Sequence, residues 1–239
     1  GRVLNPSLRK YISLAVILRP SMKLARLYLT LITISSCKSI LINSNLKNPT
    51  VETTHSIKEF QINNNFSTEN SFIIKGDTSN AIKNLFLGMA VGYYIFDKYG
   101  NHICYNSSST CHGEQFKQLV HNKLDSFNVC KSDSLVLNKL LFQTTDLNNK
   151  PVDMANLPKT EFYVVTYWQI FLGGKKGYNE SVTWMENEIK KNGNNRFTLI
   201  KINTDLQENW GLIAGKKAKL SWTRKEKGMT ITVTDLPVK

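Results

Sequence analysis

No two of the four cysteines, Cys37, Cys104, Cys111 and Cys130, stand at C-x-x-C spacing. That absence excludes an adjacent redox dithiol and the paired knuckles of a zinc ribbon. The sequence also lacks a Ser-His-Asp arrangement, a phosphate-binding glycine loop and paired carboxylates placed for acid–base work. Two apolar runs, at 27–34 and 85–96, are too short to cross a bilayer as helices. Acidic residues are missing altogether from positions 1–37. What remains is a chain of 239 residues with ordinary hydrophobic content (41%) and charge (21%), enough for one large domain or two small ones.

A formal charge of +13 points first to an anionic partner. Six of the cations, Arg2, Arg9, Lys10, Arg19, Lys23 and Arg26, sit in the acid-free leader, and without them 25 Lys+Arg face 18 Asp+Glu for a balance of +7. Nucleic-acid binding is therefore not what the charge favours. Met22 begins a basic stretch with Lys23 and Arg26, 27–34 is a brief apolar core, and Ser35 and Ser36 precede Cys37. That order describes an export signal. A cysteine directly after the small residues makes the segment resemble a bacterial lipoprotein signal, with Ile34 where Leu is usual. The resemblance implies a start at Met22, cleavage before Cys37, a lipid on its thiol and attachment to a membrane of the cell envelope. Residues 1–37 are thus read as a leader. Residues 38–71, rich in Asn, Ser, Thr and Lys around Pro49, read as a flexible tether in which His55 is solvated.

Residues 72–132 read as a small α+β unit. The run 85–96 ends in Tyr93, Tyr94, Ile95 and Phe96, which predicts a strand turning at Tyr99, Gly100 and Asn101 into a second strand from His102. Phe116, Leu119, Val120, Leu124 and Phe127 recur at helical spacing and predict an amphipathic helix over 113–130. His102, Cys104, Cys111 and His112 crowd together in the sequence. A metal site is one reading of them; a thiol pair or disulfide between Cys104 and Cys111, with no metal, is the favoured one.

Alternation over 140–154 suits two short strands around a turn at Asn148, Asn149 and Lys150, with Asn149 able to adopt the left-handed conformation. Residues 162–171 form a continuous apolar and aromatic run, as in a strand buried on both faces. Tyr178, Val182, Met185 and Ile189 fall on one helix face, and 197–203 reads as the next strand, giving a parallel β-α-β unit. A helix over 206–220 and a strand over 228–235 complete the chain.

The residues Trp168, Phe171, Leu172, Gly173, Gly174 and Lys175, after the first buried strand, resemble the active-site region of membrane-associated thioredoxin-like proteins related to peroxiredoxins, which carry W-x-x-[WF]-C-x-x-C there. The lead-in from Asp146 through Lys150 and Val152 is similar to that family's opening phrase. The resemblance implies an α/β fold for 133–239, a thioredoxin-like sandwich with a central mixed sheet and flanking helices, preceded by the small α+β region. Leu172 and Lys175 occupy the two cysteine positions, so the site offers neither a nucleophilic thiolate nor a resolving thiol. The family's cis-proline before a late strand has no counterpart either, because Pro237 follows 228–235. The expectation is a redox-inactive binding or structural module with no cofactor, holding another envelope protein on the surface around Trp168, Phe171 and Tyr178. The alternative is a thiol–disulfide protein working through Cys104 and Cys111. Lys216, Lys217, Lys219, Arg224, Lys225 and Lys227 around Trp222 read as a solvated face rather than a site for nucleic acid or anionic headgroups.

Overall fold

A computed structural model describes residues 48–65, 67–87, 92–105, 112–121, 127–130, 135–173, 178–192, 195–225 and 228–239. The first helix, α1 (Thr54–Asn63), starts at a capping box: the Thr53 hydroxyl accepts from the Ser56 amide, and the Ser56 hydroxyl accepts from the Thr53 amide. Strand β1 (Ser71–Ile74), helix α2 (Ala81–Leu87) and the hairpin of β2 (Tyr93–Asp97) and β3 (His102–Tyr105) follow. The Asp97 carboxylate closes the hairpin by accepting from the amides of Tyr99 and Asn101, and Gly100 supplies the positive φ of 83°. Next come α3 (His112–Val120), β4 (Phe127–Val129), α4 (Leu137–Phe142) and β5 (Thr144–Asp146). The chain continues with β6 (Phe162–Trp168), α5 (Ile170–Gly173), α6 (Tyr178–Asn192), β7 (Phe197–Asn203), β8 (Lys219–Lys225) and β9 (Gly228–Asp235).

Seven strands form one mixed sheet in the order β4-β3-β2-β6-β7-β1-β5, and β8 and β9 make a separate two-stranded sheet. Strands β6 and β7 pair in parallel over their whole length, from Phe162 opposite Phe197 to Trp168 opposite Asn203. β1 lies parallel to β7, and the remaining pairs are antiparallel. Side chains alternate between faces along each strand. Val164 of β6 belongs to one cluster with Phe116 and Leu119 of α3 and Met185 of α6, and Trp168 of the same strand to another with Ile57 of α1 and Val182 of α6. Tyr163 and Val165, on the other face, meet Ala81 and Leu85 of α2 and Leu137 and Leu141 of α4. The fold is α/β, a mixed central sheet with helices on both faces. Among the described residues no helix is long and apolar enough to cross a membrane.

Several sequence expectations change. The tether does not extend to residue 71. Val51 exchanges backbone hydrogen bonds with Lys216 and Gly215, Glu52 bonds to Leu206, and α1 buries Ile57 completely. Polar composition hid this helix because only a narrow stripe of it faces the core. The boundary at 132/133 does not separate two bodies, since β2, β3 and β4 continue the sheet of β6 and β7 and residues 45–239 cluster as one unit. The helix expected over 113–130 ends at Val120, and Phe127 instead opens β4, where its ring packs on Tyr105 at 4.9 Å. The first strand expected in 140–154 begins late: residues 140–142 are helical in α4, 144–146 form β5, and Asn149 turns the chain with φ 63°. The segment 206–218 is coil around a 3₁₀ turn, and β8 begins at Lys219. Positive φ at Gly211 and Gly215 breaks any helix. The strand over 228–235 forms as expected but pairs with β8, outside the main sheet. The run from 162 is a strand only to Trp168.

The α6 cover is fixed by a buried ion pair. Lys201 on β7 is 2% exposed, its ammonium pairs with Glu186 on α6, and it also donates to the Ser67 carbonyl at 2.7 Å. Burial lowers the Lys201 pKa, with the Glu186 carboxylate opposing that shift. Removing one partner strands a charge in the core, whereas replacing both with apolar side chains does not. Glu186→Leu is therefore expected to cost about 3–5 kcal/mol in urea unfolding, and adding Lys201→Met is expected to recover most of that loss.

Candidate functional site

Parallel strands leave their carboxyl ends open where the chain turns into loops, and ligands of open α/β sheets gather there. In this chain the ends of β6 and β7 carry Trp168, Gln169, Asn203, Thr204 and Asp205, every one of them buried. Trp168 stacks on Phe60 of α1 with centroids 5.9 Å apart and planes 20° from parallel. After it, Gln169 leaves the strand to donate to the Leu85 and Thr204 carbonyls, and α5 begins.

Asp205 organises that turn. Its Oδ2 accepts from the Ile170 amide at 2.7 Å and from Asn203 Nδ2 at 2.7 Å, while Oδ1 accepts from the Phe171 amide at 3.3 Å. Asn203 Oδ1 in turn accepts from the Asp205 amide at 3.0 Å. A carboxylate from the end of β7 thus caps the first amides of α5, the job a local Ser or Asp does at most helix starts. Burial pushes the Asp205 carboxyl up to about 7, against the lowering effect of its donors and with a further push from the Glu52 carboxylate. Glu52 is itself raised by burial, opposed by the hydrogen bond from Ser56 Oγ at 2.6 Å. Burial also pushes the Tyr167 phenol up to about 12, with Tyr94 adding to the shift. Gln169 Oε1, Thr204 Oγ1 and Gln207 Nε2 are buried with no hydrogen-bond partner among the described residues.

The sequence-selected residues among those described take these places. Leu172 is buried in α5 at 8% exposure, and Gly173 ends that helix. Gly174, Lys175, Cys111 and Cys37 lie outside the described residues. Trp168 is 0% exposed and so presents no surface to a partner, which corrects the expectation of a shared face with Phe171 and Tyr178. The expected Cys104–Cys111 bond is also corrected: Cys104 is bonded to Cys130, with Cα atoms 5.2 Å apart. β4 sits beside β3 with Cys104 opposite Asn128, which brings the residue after Val129 within reach; reading 113–130 as one helix concealed this. His55 is exposed, 3.1 Å from Glu59 one turn on, as expected. Of the basic stretch, Lys219 pairs with Asp235 across the β8–β9 hairpin at 3.2 Å, and Lys216 and Lys217 are exposed.

Sequence reasoning did not single out Asn203, Asp205 or Gln169. A buried Asp after the second parallel strand was a usable signal, because that position faces the turn after the first. A separate cleft of about 490 Å³ opens at the β1–β5 edge between Lys58, Asn70, Asp146 and Lys150. It is polar, and Lys58 there donates to Asn148 Oδ1 at 3.2 Å.

The raised Asp205 pKa fixes the sign of a pH dependence. Between the unfolded carboxyl value near 3.9 and about 7 the folded chain binds the extra proton, so this contribution is full below about pH 4 and is lost as pH rises through about 7. Urea unfolding is expected to show wild-type stability falling across that window, and Asp205→Asn flattening the profile. A rise instead would mean that the three donors outweigh burial. The chain matches no family model, no curated protein and no solved structure.

Proposed function

We propose that this chain is an exported lipoprotein, tethered through a lipid on Cys37, whose thioredoxin-like body has lost its dithiol and serves as a structural or binding module in the cell envelope. What carries the redox-inert part is the turn after β6. The cysteine position is a buried leucine, Leu172, and the first amides of α5 are taken by Asp205. A redox centre needs an accessible thiolate with unengaged helix amides beside it. Neither is present at Leu172.

The strand arrangement supports the thioredoxin-like assignment. β1, β7 and β6 run parallel, α6 crosses between β6 and β7, and the antiparallel hairpin β2–β3 flanks β6. The resemblance puts that hairpin after the second core strand. Here it comes before the first, a departure from that family's order. Helix α1 then covers Trp168, so a partner has to be held elsewhere on the body. The alternative enzyme through Cys104 and Cys111 loses its pairing, because Cys104 is bonded to Cys130. The export part rests on the sequence around Cys37.

Two measurements test the two parts separately. Expression of the full chain in a bacterium is expected to give an intact mass beginning at Cys37 with a lipid attached; a mass that retains the leader overturns the tether. In an insulin-reduction assay the wild type is expected to match buffer. Leu172→Cys with Lys175→Cys is expected to stay inactive as well, since the first thiol would be buried beside amides that Asp205 already holds.

A further inference from the structure

His102 and Cys104 stand two residues apart on β3, so both side chains leave the same face of the strand. Cys130 follows the last residue of β4, and its amide donates to the His102 carbonyl at 3.0 Å. The result is a cluster in which His102 Nδ1, Cys104 Sγ and Cys130 Sγ all lie within 4.8 Å of one another, each residue partly exposed at the outer edge of the sheet. His102 Nδ1 is 3.3 Å from Cys130 Sγ. The imidazole is steadied by Tyr94 and Phe96, with ring centroids 5.6 and 5.5 Å away.

We propose that reduction of the Cys104–Cys130 bond opens a site for one thiophilic divalent cation of the zinc type, with two thiolates and the His102 imidazole as ligands and a water in the fourth position. Metal–sulfur and metal–nitrogen bonds of ~2.3 and ~2.0 Å place neighbouring S and N ligands of a tetrahedron ~3.5 Å apart. The 3.3 Å between Nδ1 and the Cys130 sulfur already has that spacing. Two sulfurs and one imidazole are also the donor set that selects such ions over oxygen-seeking cations. A dithiol reductant supplies two electrons and two protons, becoming a disulfide as Cys104 and Cys130 become thiols. The cation then displaces both thiol protons and binds neutral His102. In the oxidised chain neither sulfur carries a charge to offer, so the bond acts as the gate. The ion would also restore the tie between β3 and β4, a strand of three residues at the edge of the sheet. This inference is independent of the lipid tether and of the turn after β6.

The test uses the full chain carrying Cys37→Ser and Cys111→Ser, so that only the two clustered thiols remain. Co²⁺ is titrated into oxidised and phosphine-reduced protein, sulfur-to-cobalt charge-transfer absorption is followed, and Zn²⁺ is added as competitor. The expected result is one equivalent of Co²⁺ bound only after reduction and displaced by Zn²⁺. His102→Ala, with an unchanged circular dichroism spectrum, is expected to weaken binding by more than about 100-fold, beyond the loss typical of an outer-shell change. Cys104→Ser is expected to abolish the charge-transfer band. Absence of stoichiometric binding in the reduced chain, equal affinity in His102→Ala, or binding without prior reduction would each overturn the proposal.

Discussion

Strand β7 is buried at every one of its seven positions, and most of the architecture follows from covering both of its faces. Helix α6 crosses between β6 and β7 and covers part of one face, with α3 beside it. It does not reach Trp168 alone, and α1 completes the cover through Phe60 and Ile57. Burial of a side chain such as Ile57 is worth roughly 1.5–3 kcal/mol, which a free tether would forgo. On the opposite face α2 and α4 leave the carboxyl end of the sheet to coil, and Leu206, Trp210, Leu212 and Ala218 fill it. The segment from Pro49 to Glu52 is stitched to that coil by backbone hydrogen bonds, so the two sequence-distant pieces hold each other in place.

The parts legible in the sequence were those where one physical signal dominated. β6, α6 and β7 announced themselves through an unbroken apolar run, one apolar helix stripe and a second apolar run. The β2–β3 hairpin was legible because Tyr99, Gly100 and Asn101 specify a turn between apolar segments. Asn149 was legible for its conformation and Thr144–Asp146 before it as a strand, although the helical start at 140–142 was not. Elsewhere local pattern and tertiary packing disagreed. α1 presents mostly polar residues and is made stable by its Thr53 cap and by contacts with Trp168, neither of which shows as periodicity. Phe127 continues the apolar spacing of α3 yet belongs to a strand, because pairing with Tyr105 offers it more than another helical turn does. That one misreading also hid the partner of Cys104 and split a single sheet into two units.

At the candidate site the turn after β6 is held by groups from the ends of both parallel strands. A thiolate at a helix start draws its stability from amides that have no other partner. In this chain the amides of Ile170 and Phe171 already point at Asp205, which Asn203 holds in place from the same strand end. Leu172 is buried, and α1 closes over the neighbouring Trp168. These features depend on one another. Helix-start amides away from solvent need an internal acceptor. A buried carboxyl held there needs the polar company of Asn203, and covering Trp168 adds apolar burial. What stands here is a turn whose helix start belongs to the interior rather than to solvent.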